Sequence, residues 1–263
     1  MDNSRFNYSY HYENWHSDTN ESEQSDVRLA KKLFLDHHIF PKYKDSKVLE
    51  IGCGMGRFML MLRDEGYNNL LGVDIDKTQI NVAKKSNLNV SLLDGIEYLK
   101  NTIDTFDVIY FFDFLEHLDK EKQLDFLKLV YEHLDDSGMI AFSVPNALAP
   151  SGMFYRYIDF THTVSYCKYT ISFLLHNAGF HYMDIRPQHK ESSKVMRLKR
   201  PWADIYRKEF GIEDVILTPN LVTVAFKNKT EFESYLKAAP IIKNDYYKYN
   251  QNIFLRLWNR MKR

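Results

Sequence analysis

The stretch "VLEIGCGMGRF", residues 48–58, decides the fold. A short apolar run, interrupted by Glu50, leads directly into Gly52, Gly54 and Gly56. Glycine loses more conformational freedom on folding than any other residue, so three in alternate positions at a strand end need a reason. A ligand that must touch backbone is the usual one. A dinucleotide turn requires G-x-G-x-x-G, with a pyrophosphate seated on the following helix N-terminus. Here the third glycine comes one residue early and Arg57 follows it. Glu50 would also repel a diphosphate. A carboxylate at that place suits a ligand carrying positive charge.

Working outward, strands and helices alternate. "KVLEI" reads as a strand and "GRFMLMLRDEG" as a helix closed by Gly66; "LLGVDI" is followed by "KTQINVAKKS", and "NVSLL" by "GIEYLKN". "FDVIYFF" then precedes "KEKQLDFLKLVYEHL", and "GMIAFSV" stops at Pro145. This order predicts an α/β, Rossmann-like sheet of seven strands, mainly parallel, with helices on both faces and the last strand, "PNLVTVAFK", antiparallel. Ligands of such sheets bind beyond the carboxyl ends of the strands, where the strand order reverses. The glycine run falls there. Outside this region, residues 1–25 read as an irregular N-terminal arm and 26–40 as a helix. One domain spans 26–227, with a basic insertion at 188–217 that caps an acceptor site, and 228–263 form a C-terminal tail or helix.

Composition narrows the function classes. The 263 residues include 35 basic and 35 acidic side chains, which gives no electrostatic case for a nucleic-acid partner. Cys53 and Cys167 make no disulfide framework, and no secretory leader or apolar membrane span is visible, which points to a cytoplasmic setting. The tail "IFLRLWNRMKR" has apolar residues at helical spacing among basic ones, a pattern that suits an anionic membrane surface or packing on a partner chain.

"VLEIGCGMGRF" resembles motif I of the class I S-adenosylmethionine-dependent methyltransferases. The resemblance continues in order through "LLGVDID", "NVSLLDGI", "FDVIYFFDFLEHL" and "GMIAFSVPN", over roughly residues 45–227. It implies that the glycines approach the methionine part of the cofactor, with Glu50 beneath the turn. Asp74, with Ile75 beside it, would accept from the ribose hydroxyls, Asp94 and Gly95 would face the adenine, and Phe111 would close over the site. S-adenosylhomocysteine would be the product. Two bland alternatives stand beside this reading: Asp74 or Asp94 as helix caps, and Phe111 or Phe112 as core.

A hydroxyl acceptor must lose a proton, so a nearby base helps. "DFLEHLD" offers Asp113, Glu116, His117 and Asp119, and "DFTHT" offers Asp159 and His162. His162, oriented by Asp159, is the first candidate base and His117 the second. No tight metal-ligand spacing appears, so no metal is expected. Asn146, Tyr157, Arg197 and Arg200 are candidate acceptor contacts, the arginines for an anionic group. The segments "RYIDFTHTVSYCKYTISFLLHNAGF" and "LTPNLVTVAFK" resemble methyltransferases of bacterial capsule and surface-polysaccharide biosynthesis. That implies O-methylation of a small molecule, phosphorylated or nucleotide-linked. The other readings are a nucleic-acid methyltransferase, which lacks the expected N-P-P-Y-like motif here, and a non-catalytic cofactor-binding module.

Overall fold

Seven strands form one sheet in the order β3-β2-β1-β4-β5-β7-β6. They are β1 (Val48–Ile51), β2 (Leu70–Asp74), β3 (Val90–Leu92), β4 (Phe106–Tyr110), β5 (Leu134–Pro145), β6 (Tyr182–Pro187) and β7 (Asn220–Phe226). The structure is a computed structural model and describes residues 20–246. Neighbours among β1–β5 pair in parallel, whereas β7 runs antiparallel to both β5 and β6. This is the fold class expected from the alternation of strands and helices, including the antiparallel last strand.

The helices are α1 (Asn20–His37), α2 (Arg57–Asp64), α3 (Lys77–Lys85), α4 (Gly95–Asn101), α5 (Lys120–Glu132), α6 (Gly152–Ile158), α7 (Lys168–Ala178), α8 (Ser193–Phe210) and α9 (Lys229–Ala238). A 3₁₀ turn at Leu115–His117 follows β4. Side-chain alternation along the central strands sorts the core into two layers. Val48, Val108, Tyr110 and Phe112 join a cluster with Phe34 of α1, Met59 and Leu62 of α2 and Tyr235 of α9. Leu49, Ile51, Ile109 and Phe111 join another with Phe126 and Leu127 of α5 and Leu175 of α7. Both faces are covered, so β1 is buried along its whole length, including Glu50.

The structure departs from the sequence reading in three places. The first helix begins at Asn20, inside the stretch read as an irregular arm; residues 1–19 lie outside the described residues. The connection after Pro145 contains α6. The basic insertion is dominated by α8, capped by Ser192 Oγ on Val195 N–H and closed by Gly211 at φ 67°. It has its own small core of Met196, Ala203, Val215, Leu217 and Tyr246. Buried Glu191 anchors it, pairing with Lys199 and accepting from Tyr246 Oη at 3.0 Å. The insertion leaves β6 and enters β7 where Pro187 pairs with Leu221, the last pair of the β6–β7 ladder. The tail "IFLRLWNRMKR" lies outside the described residues. Among those described, no helix is long and apolar enough to cross a membrane.

Candidate functional site

At the end of β1 the chain turns through Gly52 (φ 70°), Gly54 (φ 53°) and Gly56 (φ 79°), left-handed conformations that only glycine adopts without strain. The turn is fastened to β2. Val73 O accepts the N–H groups of Gly52 at 2.9 Å and Cys53 at 3.1 Å. Asp74 Oδ2 accepts Gly54 N–H at 2.9 Å, and its Oδ1 accepts Asp76 N–H at 2.7 Å. A Cβ on Gly54 would fall 2.6 Å from Gln79 Oε1, and one on Gly52 2.8 Å from the Phe114 ring. The turn is therefore backbone pressed close to its neighbours. Gly56 serves a different end: it starts α2, with Leu88 where a Cβ would point.

The cleft above this turn occupies about 740 Å³, its open mouth included. Gly52, Gly54, Asp74, Ile75, Asp94 and Gly95, all expected at the cofactor, line it together with Val73, Asp76, Gln79, Asp113, Phe114, His117 and Leu118. Asp76, not Asp74, caps α3, accepting from Thr78 and Gln79. Asp94 lines the cleft, and its Oδ1 caps α4 through Ile96 and Glu97.

The electrostatics are one-sided. Among the described residues, four aspartates line the cleft and no lysine or arginine does. Glu50 lies buried beneath the turn, and its Oε2 has no hydrogen-bond partner among the described residues. Burial pushes the Glu50 carboxyl well above the usual carboxylate range, and the charge of Asp74 adds to this. Burial also raises Asp74, although the amides of Asp76 and Gly54 work the other way. Burial likewise raises Asp113, against a hydrogen bond from Ser143. Carboxylates held this way favour a cationic ligand and disfavour a diphosphate. S-adenosylmethionine, with its sulfonium and ammonium groups, fits the donor set and the orphaned Glu50 oxygen.

Beyond Phe114 the cleft reaches a polar cluster. His117 and His162 pack edge to face, ring centroids 4.7 Å apart. His117 Nδ1 lies 2.8 Å from Thr161 Oγ1, and that hydroxyl donates to Asp159 Oδ1 at 2.6 Å. His162 Nδ1 lies 2.7 Å from Tyr155 O, while Asp159 Oδ2 stands 4.0 Å from His162 Nε2. Burial would raise Asp159, but the Thr161 hydroxyl and amide outweigh it and hold the carboxyl low. Asp159 thus faces both rings: its Oδ2 stands by His162 and its Oδ1 reaches His117 through Thr161, while the Tyr155 carbonyl holds His162 Nδ1. Glu116, fully buried, completes the group.

Other expected residues fall elsewhere. Phe111 is core: it stacks on Phe142 at 4.5 Å and meets Phe126 edge-on, below the cleft. Phe114 stands where Phe111 was expected. Asn146 is fully committed to structure, its Nδ2 donating to Ile216 O at 2.8 Å and Thr218 O at 2.9 Å and its Oδ1 accepting from Leu148 N–H. Tyr157 is exposed on α6 under the Arg156 guanidinium. Arg197 and Arg200 sit on α8, outside the cleft lining, and Arg200 faces Asp204.

Comparison with known proteins agrees with this geometry. A family model described as a methyltransferase domain matches residues 25–184. The chain is 33% identical over 103 residues to a tRNA U34 carboxymethyltransferase of Sulfurimonas denitrificans, a match covering 37% of this chain and only 34% of that protein's length. It is 26% identical over 147 residues to a putative protein N5-glutamine methyltransferase of Methanocaldococcus jannaschii, covering 52% and 71%. A crystal structure of a SAM-dependent methyltransferase from Archaeoglobus fulgidus superposes with a TM-score of 0.63 at 26% identity, over 84% of this chain and 99% of that one.

Proposed function

The chain belongs to the methyltransferase-domain family and is a methyltransferase that uses S-adenosylmethionine, and from that premise we propose that it methylates an oxygen of a small acceptor, a sugar hydroxyl or a phosphoryl-type group on a sugar, in bacterial surface-polysaccharide assembly. The acceptor oxygen attacks the methyl carbon, the S–CH₃ bond breaks, and its electron pair returns to sulfur to give S-adenosylhomocysteine. Most of the rate comes from aligning the two reactants and excluding water.

The observation that carries the oxygen assignment is the juxtaposition of the Glu116–His117–His162 cluster with the cofactor cleft. A hydroxyl must shed a proton before or during transfer, and this cluster is the polar group that can assist. An amine would need less help. The glycan assignment rests on the resemblance of the segment from Arg156 to Phe180. The two relatives are named for acting on tRNA and on protein glutamine. A tRNA acceptor is disfavoured by the balanced charge of 35 basic and 35 acidic residues and by the acidic cleft wall.

The test is S-adenosylhomocysteine formation by purified protein offered free sugars, sugar phosphates, nucleotide sugars, bulk tRNA and a glutamine peptide. Turnover with a sugar derivative, lost in His162→Ala while cofactor binding persists, is the expected result. Turnover confined to tRNA or peptide refutes it.

A further inference from the structure

The polar cluster at the end of the cleft has the geometry of a metal site. Glu116, His117 and His162 each offer one ligand atom, and the three atoms lie within 4.8 Å of one another. Ligands about 2.0–2.2 Å from a shared ion stand roughly 3–4 Å apart. Small side-chain rotations close that gap.

Glu116 supplies an independent observation. It is fully buried, and neither carboxylate oxygen has a hydrogen-bond partner among the described residues. A buried ionised carboxylate without a partner is among the costliest arrangements in a protein, and buried charges are normally paired or coordinate metals. A cation between Glu116 and the two rings satisfies it.

The rings are prepared in the same sense. A carbonyl only accepts, so the Tyr155 O contact at 2.7 Å places the His162 proton on Nδ1 and the lone pair on Nε2. Thr161 Oγ1 gives its hydrogen to Asp159 and so accepts from His117 Nδ1–H, which assigns a ligand role on that ring to Nε2. Metal-ligating histidines characteristically donate their other nitrogen to a carbonyl or to a carboxylate-backed partner. Both do so here.

We propose that Glu116, His117 and His162 bind a divalent transition-metal ion at the acceptor end of the cofactor cleft. Two imidazoles and one carboxylate suit Zn²⁺, Co²⁺, Fe²⁺ or Mn²⁺ better than Mg²⁺ or Ca²⁺. His117 and Asp113 line the cleft, so the coordination positions left over face the acceptor. Three protein ligands leave such positions open. A cation there lowers the pKa of a coordinating hydroxyl, whose proton passes to water, and offsets the acidic wall. This last role rests on the oxygen-acceptor reading above; metal binding itself does not.

The test uses untagged, full-length protein stripped of metal and titrated with Co²⁺, followed by its visible d–d absorption. The expected result is one equivalent of Co²⁺, displaced by Zn²⁺, with Glu116→Gln and His162→Ala each weakening binding at least tenfold. Calorimetric affinity for S-adenosylmethionine should stay within about twofold. Absence of the band in the wild type, or isotherms unchanged in a folded variant, overturns the site. Should Glu116→Gln not fold by circular dichroism, His162→Ala decides. A metal that binds while no sugar derivative is methylated supports the site and refutes the acceptor reading. Equal turnover by stripped and loaded protein refutes the metal's role in activating the acceptor.

Discussion

The Asp74 carboxylate and the Gly54 amide are hydrogen-bonded at 2.9 Å, so one side chain both braces the glycine turn and presents an acidic edge to the cleft. Asp74→Ala should therefore weaken S-adenosylmethionine binding by about 10–100-fold, the worth of one or two hydrogen bonds to a charged group. Asp74→Asn, which keeps an oxygen for one amide, should fall between wild type and Ala. Calorimetric titration checks this order; an Ala variant with wild-type affinity removes Asp74 from the site.

Cofactor binding should depend on pH with a definite sign. Burial raises both Glu50 and Asp74 in the free protein. A cationic ligand favours their ionised forms, so binding lowers those pKa values and releases protons. Affinity is then full above the raised values and lost as pH falls through them, starting above the ordinary carboxylate range. Titrations in two buffers of different ionisation heat should show net proton release as pH falls into the raised range. Proton uptake there contradicts the assignment.

Gly56→Ala should destabilise the fold by about 2–4 kcal/mol in urea denaturation, combining left-handed strain with overpacking. Its new Cβ would stand 2.2 Å from Leu88 Cδ1 at φ 79°. Gly66→Ala is the control. Its φ is 88° with nothing within 4 Å of the new Cβ, so it should cost only the backbone part, about 1 kcal/mol. Equal losses would mean that the Leu88 contact is relieved at no cost.

Asn146→Ala should act on stability and not on acceptor kinetics. It strips partners from Ile216 O, Thr218 O and Leu148 N–H in a site 1% exposed. A loss of about 2–4 kcal/mol is expected, given about 1–3 kcal/mol for each unsatisfied buried group and partial relaxation. The KM of the folded fraction should be unchanged. A raised KM at unchanged stability would restore the acceptor role first expected of this residue.

The cofactor half was legible because its parts are local. A strand, a glycine turn, a helix and a carboxylate at the next strand end lie within short spans, and their spacing carries the meaning. The acceptor half is not local. Glu116 and His162 meet because the loop after α6 folds onto the turn after β4, where Thr163 N–H donates to Glu116 O at 2.7 Å. No spacing rule announces that contact, so the cluster was seen as two separate groups of candidate bases. Phe111 fails for a subtler reason. Alternation shows that Phe111 and Phe112 point to opposite faces. It does not show that both faces are covered, or that Asp113 at φ 47° redirects the chain and brings Phe114 beside Gly52. Asn146 looked like a polar loop residue available to ligand, and its three backbone partners lie on the strand approach and the adjoining loop.

The pairing of Pro187 with Leu221 has a consequence for how this protein can change. The α8 insertion between them leaves β6 and enters β7, its antiparallel neighbour, and Gln188 N–H bonds Asn220 O at 3.3 Å. The segment is in effect a cassette clipped into a fixed slot. Its length and content can be exchanged without shifting the register of any strand that carries the glycine turn, Asp74 or Asp94. A chimera that replaces residues 189–217 with another segment of matched ends should keep its cofactor affinity.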